Sequence, residues 1–293
     1  MMSQSTKTVV VAGATGRLGS VIPRLLARSH KVIAVARDPN APAAAALRAQ
    51  GAAVARGDFD EPESIAEAAA GADALIATGT AHRAGPEGEL RHGLGLANAV
   101  QTAEVPHVVY ISGDGAGPNA PLPLFRANHE VEERIRSLAT AHTILAPVYF
   151  MENLFNPWNL AALRAGMLPS PIPLTARLQQ VAFDDVMALA ALVIESPERF
   201  AGARITVASD ELNAVEASAA IAVAVGIRLE PRQIEIEKLP PGLHALFAWL
   251  ATRPHRADIK GLRARFLEVT WHSYAAWASS ERARLASATE RAA

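Results

Sequence analysis

The chain has 293 residues, half of them apolar, and a formal net charge of −1. Such a balance argues against nucleic-acid binding, which requires an excess of clustered Lys and Arg. Cysteine is absent, which excludes disulfides, a thiolate nucleophile and a Cys-ligated metal site.

The first half of the chain alternates short strand-like runs with helix-like stretches. The strand-like runs are rich in β-branched residues and bounded by Gly or Pro: Thr8–Gly13, Lys31–Ala36, Ala52–Gly57, Ala72–Gly79, His107–Gly113 and His142–Pro147. Near-continuous apolar strands that alternate with helices indicate a parallel sheet covered on both faces. The pattern therefore predicts an α/β fold, a doubly wound and mainly parallel Rossmann sheet.

The regular alternation of strand-like and helix-like stretches changes after about residue 150. A Pro-rich loop at Gly166–Ala176 precedes a helix, a strand at Ala203–Ser209, a second helix and a strand around Ile234–Ile236. Helical segments rich in aromatic residues follow to the end. We expect a dinucleotide-binding domain over residues 1–150 and a smaller, mostly helical substrate lobe over 151–293, intertwined with the first.

A glycine turn joins the first strand to the first helix, with the sequence "GATGRLG" from Gly13 to Gly19. Its three glycines allow, in order, a tight turn, close approach of a pyrophosphate and close packing of helix on strand. The N–H groups at the start of the helix then hold the anion. We expect a dinucleotide to contact this turn at Gly13, Thr15, Gly16, Arg17, Leu18 and Gly19.

The second strand ends in Arg37, where a carboxylate would bind a ribose 2′-OH and repel a 2′-phosphate. A guanidinium forms charge-assisted hydrogen bonds with that phosphate, and Arg17 is a second candidate for the same clamp. The strand end therefore predicts NADP(H) in preference to NAD(H).

Later strand ends point to the same crevice, since ligands of such sheets bind beyond the carboxyl ends of the strands. Asp58 and Phe59 are predicted to hold the adenine, and Thr78, Gly79 and Ser112 to contact the coenzyme. The glycine-rich segment after the fourth strand, residues 81–95, is interpreted either as a mobile flap or as an ordinary surface loop.

An ordered set of motifs resembles the NmrA-like family, an atypical branch of the short-chain dehydrogenase/reductases, from about residue 7 to residue 230. The motifs are "VVVAGATGRLG", "VARDP", "GDFDEPESI", "VVYISG", "VEERIRSLATAHTILAPVYFMENL" and "QVAFDDVMALAALVIESPERFAGARITVASDELNAVEASAAIAVAVG". The resemblance implies binding of NAD(P) and either reductase or regulatory activity. It also implies that the loop carrying Pro147 and Tyr149 packs beside the nicotinamide.

The Tyr and Lys four residues apart that many relatives use for proton transfer are absent. No lysine lies between residues 32 and 237, and matching Glu132 to the family places Asn128 at the lysine position. The candidate catalytic residues near the expected crevice are thus Tyr149, His129 and Asn128. Histidine is a common proton donor, but His129 fits an exposed helix position as well, and Tyr149 fits packing better than acid catalysis.

The leading hypothesis is an NADP(H)-dependent oxidoreductase that reduces a small apolar carbonyl, enone or quinone without a Tyr-Lys dyad. Alternatives are an NAD(P)-sensing regulator that binds a partner protein and a non-redox enzyme such as an isomerase. The sequence is also compatible with a homodimer. The nine histidines show no HExxH spacing, so no metal is expected.

Location is read from the terminus and the apolar runs. Residues 1–6 lack the pattern of a secretion signal. The longest apolar runs fall short of the ~20 residues of a membrane span. We therefore expect a cytoplasmic protein with no membrane contact and no nucleic-acid partner.

Overall fold

The computed structural model describes residues 5–252 and 257–290. It divides into two compact units, an N-terminal unit of residues 1–146 with 187–206 and a C-terminal unit of residues 147–186 with 207–293. The functional roles expected for 1–150 and 151–293 stay predictions.

A seven-stranded sheet forms the centre of the N-terminal unit. Its strands are β1 (Thr8–Ala12), β2 (Lys31–Ala36), β3 (Ala53–Arg56), β4 (Ala74–Thr78), β5 (His107–Ile111), β6 (Ala141–Pro147) and β10 (Arg204–Val207). They lie in the order β10-β6-β5-β4-β1-β2-β3, and the neighbouring strands from β3 to β6 pair in parallel. The order reverses between β1 and β4, where open α/β sheets bind ligands. The predicted doubly wound sheet is confirmed.

Helices cover this sheet. They are α1 (Ile22–Ala27), α2 (Pro42–Ala49), α3 (Pro62–Ala69), α4 (Ala81–Thr102), α5 (Pro123–Arg136), most of α7 (Phe183–Glu195) and α8 (Pro197–Phe200), and a 3₁₀ segment at Arg17–Val21 precedes α1. The apolar runs that form the central strands β1, β4 and β5 are buried as expected, with Val9, Val10 and Val11 fully inaccessible, whereas the edge strand β3 is half-buried or exposed. Burial on both faces explains why these strands are continuously apolar.

The C-terminal unit contains two small sheets and several helices. Its strands are β7 (Tyr149–Phe150), β8 (Met167–Ser170), β9 (Leu178–Val181), β11 (Asp210–Leu212) and β12 (Glu230–Gln233), paired as β11-β9-β7 and β12-β8. Its helices are α6 (Pro157–Arg164), α9 (Ala214–Val225), α10 (Pro241–Thr252), α11 (Ile259–Arg265), α12 (Tyr274–Ser280) and α13 (Arg282–Thr289), with 3₁₀ segments at Met151–Phe155 and Ile236–Lys238. The mostly helical character is confirmed.

Three local predictions are wrong. The segment Gly166–Ala176, expected to be a Pro-rich loop, begins with the strand β8, which pairs with β12. The strand expected around Ile234–Ile236 lies earlier, at β12, because its backbone pairs with β8 in the register Glu230↔Met167. The segment 81–95 is neither flap nor loop but the first part of α4, which breaks only at Gly85, where φ is 67°. Pro86 follows the break in the position that suits the first turn of a helix.

The glycines of α4 permit close helix packing. A Cβ at Gly93 would overlap the Val131 side chain on α5, and one at Gly95 would lie 2.8 Å from Cγ of Pro62. Glycines that signal a loop in the sequence therefore serve tertiary packing here.

Candidate functional site

The glycine turn begins directly after β1. Gly13 has φ of 98°, and the N–H of Gly16 donates to the Gly13 carbonyl at 3.0 Å. A Cβ at Gly19 would overlap the carbonyl oxygen of Ala14, so only glycine lets the helix begin this close to the strand. Thr15, Gly16 and Arg17 are exposed, whereas Leu18 is buried. The turn thus presents the backbone of Gly16 to solvent, between the exposed residues Thr15 and Arg17.

The amides of Arg17 and Leu18 open the 3₁₀ segment. Backbone N–H groups at the start of a helix have no acceptor within it and attract anions. Because the Gly16 N–H is already bonded within the turn, the following amides are the donors that this cradle offers. The absence of a Cβ at Gly16 leaves room above them.

The ends of β2, β3 and β4 lie at the same edge of the sheet as the glycine turn. Cγ2 of Thr78, at the end of β4, lies 4.0 Å from where a Cβ of Gly13 would stand. Arg37 is exposed after β2 and forms no ion pair with any residue in the described part of the chain. Asp58 accepts the Asp60 N–H at 3.1 Å and Phe59 is half-buried. These residues share the carboxyl edge of the sheet, as the sequence predicted.

The loop after β5 is held by a buried carboxylate. Glu132 is 1% exposed and accepts the Ser112 hydroxyl at 2.6 Å. Arg204 donates to Glu132 at 2.9 Å and to the Gly113 carbonyl at 3.1 Å, and Arg136 donates to the same carboxylate at 2.7 Å. The Ser112 hydroxyl hydrogen is therefore used within the protein, which leaves only its oxygen lone pairs for a ligand.

Asn128 and His129 lie on α5. Asn128 is 7% exposed, and its amide nitrogen lies 3.4 Å from the position that a Cβ of Gly113 would occupy. Its side chain forms no hydrogen bond with any residue that the structure describes. His129 is half-buried. Of the two, Asn128 is the side chain that the fold brings to the end of β5.

Tyr149 and Pro147 belong to the C-terminal unit. Burial raises the pKa of Tyr149 well above its usual value, with a smaller opposing effect from a hydrogen bond to Asn153. A phenol of that kind is a weak acid at neutral pH. Its ring packs 6.1 Å from that of Phe247.

A second buried network, which the sequence did not indicate, follows β4. Glu89 on α4 is 2% exposed and accepts the phenol of Tyr110 at 3.0 Å as well as the Thr80 N–H. His92, one turn later, bonds the Thr80 hydroxyl at 2.7 Å and Asp60 at 2.8 Å. The Asp60 carboxylate joins this network through His92, and the spacing of Glu89 and His92 on one helix face is the sequence signal that could have indicated it.

Among the described residues no cluster of three or more His, Asp or Glu could hold a metal ion. None of the helices in that part of the chain is both long and apolar enough to cross a bilayer.

Comparison with known protein families shows which family the chain belongs to. The model of the NmrA-like family matches residues 5–251. The chain belongs to the NmrA-like family. It is 28% identical to an NAD(P)H azoreductase of Xenophilus azovorans over 219 residues, and this alignment covers 74% of each of the two chains.

Solved structures of two NmrA-like proteins superpose closely. NmrA, a negative transcriptional regulator in complex with NADP, is 21% identical with a TM-score of 0.76 over 94% of this chain and 95% of its own. An NADPH-dependent quinone oxidoreductase of Escherichia coli in complex with NADPH is 20% identical with a TM-score of 0.76, over 93% and 99%. At these identities the likeness shows the fold alone.

Proposed function

We propose that this protein is an NADP(H)-dependent oxidoreductase that reduces a small apolar carbonyl, enone or quinone. The glycine turn after β1, with exposed backbone and an exposed arginine at the end of β2, is the observation that carries the proposal. The azoreductase relative and the quinone oxidoreductase support reduction. The regulator NmrA supports dinucleotide binding without deciding turnover.

The residues of the turn fit a dinucleotide diphosphate. Gly16 has room for a phosphate where a Cβ would stand, and the amides of Arg17 and Leu18 donate to the phosphate oxygens. Gly13, Thr15 and Gly19 set the shape of the turn around them. Thr78, Gly79 and Ser112 extend the contact surface along the strand ends, while Asp58 and Phe59 offer a carboxylate and an apolar ring to the adenine.

Arg37 decides the preference for NADP(H). Its guanidinium has no protein partner among the described residues, so it can form a bidentate contact with a 2′-phosphate without first breaking an ion pair. The exposed Arg17 is the second cation of the clamp.

At the end of β5, Asn128 takes the place of the family's lysine. Its amide hydrogen-bonds the ribose or carboxamide of the nicotinamide, but it cannot stabilise a tyrosinate as a cation does. The bound coenzyme supplies the hydride. The proton comes from water or from His129, because the raised pKa of Tyr149 favours a packing role for that residue.

The decisive experiment measures coenzyme binding and turnover separately. Calorimetry with NADP⁺ and NAD⁺ is compared for the wild type, Arg37→Ser and the matched control Arg164→Ser, an exposed arginine of the C-terminal unit. We expect Arg37→Ser to weaken NADP⁺ at least about tenfold, as expected for a lost charge-assisted contact, and to leave NAD⁺ unchanged. Equal losses for both coenzymes would overturn the phosphate clamp.

Turnover is followed as loss of NADPH absorbance with a panel of quinones and enones. Oxidation of NADPH that depends on the acceptor supports the reductase. Tight NADP⁺ binding with no oxidation by any acceptor would instead favour the dinucleotide-sensing regulator, in line with NmrA.

A further inference from the structure

The C-terminal unit contains a pocket of its own. Its walls are mainly apolar and include Met151, Leu154, Ile172, Leu178 and Phe247. Among the described residues that line it, none carries a formal charge. Because transfer of an unpaired charge into an apolar site is strongly unfavourable, the pocket selects a neutral ligand.

Four of the polar side chains in the wall already have protein partners. Asn159 donates to the Asn153 carbonyl at 3.0 Å, and Ser170 donates to the Ile172 carbonyl at 2.7 Å. Asn213 accepts the Glu216 N–H at 2.9 Å, and Tyr149 bonds the side chain of Asn153. These groups line the pocket, but their hydrogen bonds are already made within the protein, so they need no partner from a ligand.

Two buried polar side chains in the same wall have no such partner. Gln180 on β9 is 8% exposed, and Tyr274 at the start of α12 is 3% exposed. Neither the Gln180 amide nor the Tyr274 hydroxyl forms a hydrogen bond with any residue that the structure describes. Neither group is among the fully buried unpartnered atoms, so both keep an accessible polar atom at the pocket wall. These two are therefore the polar side chains of the wall that are free to hydrogen-bond a ligand.

The hydroxyl of Tyr274 is a donor at neutral pH. Burial raises its pKa well above the usual value, with smaller contributions from Tyr149 and Glu152. The Gln180 amide can present its N–H₂ group in the same way. Both groups therefore match an oxygen that accepts hydrogen bonds, such as a carbonyl.

We propose that this pocket binds a neutral, mainly apolar carbonyl compound whose oxygen accepts hydrogen bonds from Tyr274 and Gln180. The carbonyl class rests on the proposed function, since such a compound is the expected hydride acceptor. Binding to the pocket itself needs no coenzyme, so the two proposals can fail separately.

The test uses three probes of one shape in calorimetry without coenzyme: trans-cinnamaldehyde, trans-cinnamate and trans-β-methylstyrene. We expect the aldehyde to bind at least about tenfold more tightly than the carboxylate, whose charge has no partner in the wall. Tyr274→Phe and Gln180→Met should each weaken the aldehyde about fivefold and leave the hydrocarbon unchanged. Gln233→Met, at an exposed glutamine of β12, is the matched control.

Melting temperatures confirm that each variant is folded, and the comparison of wild-type affinities needs no variant. Equal affinity for cinnamate and cinnamaldehyde, or unchanged aldehyde affinity in both folded variants, overturns the inference. A protein that binds NADP⁺ but not the aldehyde overturns this pocket assignment alone. One that binds the aldehyde but neither coenzyme overturns the proposed function and supports the pocket.

Discussion

The phenol of Tyr110 donates a hydrogen bond of 3.0 Å to Oε1 of Glu89, and both side chains are buried. Oε2 of the same carboxylate accepts the Thr80 N–H, directly after β4. A Cβ at Gly79 would overlap this carboxylate. The pair thus ties α4 to the ends of β4 and β5 and positions the backbone that the coenzyme is proposed to contact.

Removal of the Tyr110 hydroxyl should destabilise the protein. Tyr110→Phe leaves a buried carboxylate with one donor fewer, which costs about 1–3 kcal/mol, measured by urea denaturation. Tyr274→Phe is the matched control, since its hydroxyl has no partner among the described residues and the change should leave the free energy of unfolding within about 0.5 kcal/mol. Equal losses in the two variants would contradict the role of the Tyr110–Glu89 pair.

Two glycines of the turn should separate stability from binding. At Gly16, φ is −100° and an added Cβ would lie 3.4 Å from the Gly13 oxygen, so Gly16→Ala should change stability by less than about 0.5 kcal/mol. The same methyl group fills the space proposed for the diphosphate, and NADP⁺ binding measured by calorimetry should weaken about tenfold or more.

Gly19→Ala should instead lower the melting temperature, because its Cβ overlaps the Ala14 carbonyl. Gly117→Ala is the control for both glycine variants, since a Cβ there meets no atom within 4 Å. Full NADP⁺ affinity in Gly16→Ala would show that the diphosphate does not bind at this turn.

His107 should make the protein less stable in acid. The Thr143 hydroxyl donates to the Phe200 carbonyl at 3.0 Å, so its oxygen accepts from Nε2 of His107 at 2.9 Å. Nδ1 is then the unprotonated nitrogen, and it is buried without a partner in the described part of the chain. Burial, followed by the charges of Lys7 and His142, lowers the pKa of His107 to about 4.

The unfolded chain binds a proton at His107 near pH 6.5, whereas the folded chain does so only near pH 4. The stability from the neutral imidazole is therefore complete above about pH 6.5 and decreases as pH falls toward 4, by roughly 3 kcal/mol. His107→Gln keeps an N–H donor but does not titrate. The difference in unfolding free energy between wild type and variant should shift over this window, and a constant difference would contradict the assignment.

His272 should make the protein less stable as pH rises, which is the opposite of the effect of His107. Its Nδ1 lies 2.5 Å from Oδ1 of the fully buried Asp185, and this hydrogen bond raises the pKa of His272 despite partial burial. The stability from the charged pair is present below the unfolded pKa of about 6.5 and is lost as pH rises through the higher folded pKa. Relative to His272→Asn, the wild type should lose unfolding free energy above pH 6.5. A gain there would contradict the ion pair.

Local patterns in the sequence were enough for the sheet and the glycine turn. Val9, Val10 and Val11 are inaccessible because a strand between two helical layers has no solvent face. Gly13 and Gly19 are required by a positive φ and by contact with Ala14, both within seven residues of chain. Short-range sterics of this kind can be read directly from spacing.

Helix α4 is an element that local sequence patterns predict wrongly. Its glycines and Pro86 are typical of loops, yet Gly93 exists so that Val131 can pack against the helix. The distant partner that favours the helix is invisible to a window of neighbouring residues.

The sequence by itself determined the fold class, the family, the glycine turn after β1 and the arginine at the end of β2, because each depends on neighbours along the chain. Only the tertiary structure decided which buried charges meet. Arg204 reaches Glu132 and the Gly113 carbonyl across 72 and 91 positions of sequence. Gln180 and Tyr274 likewise share one pocket wall. Pairing of this kind depends on how strands and helices assemble, and no local spacing encodes it.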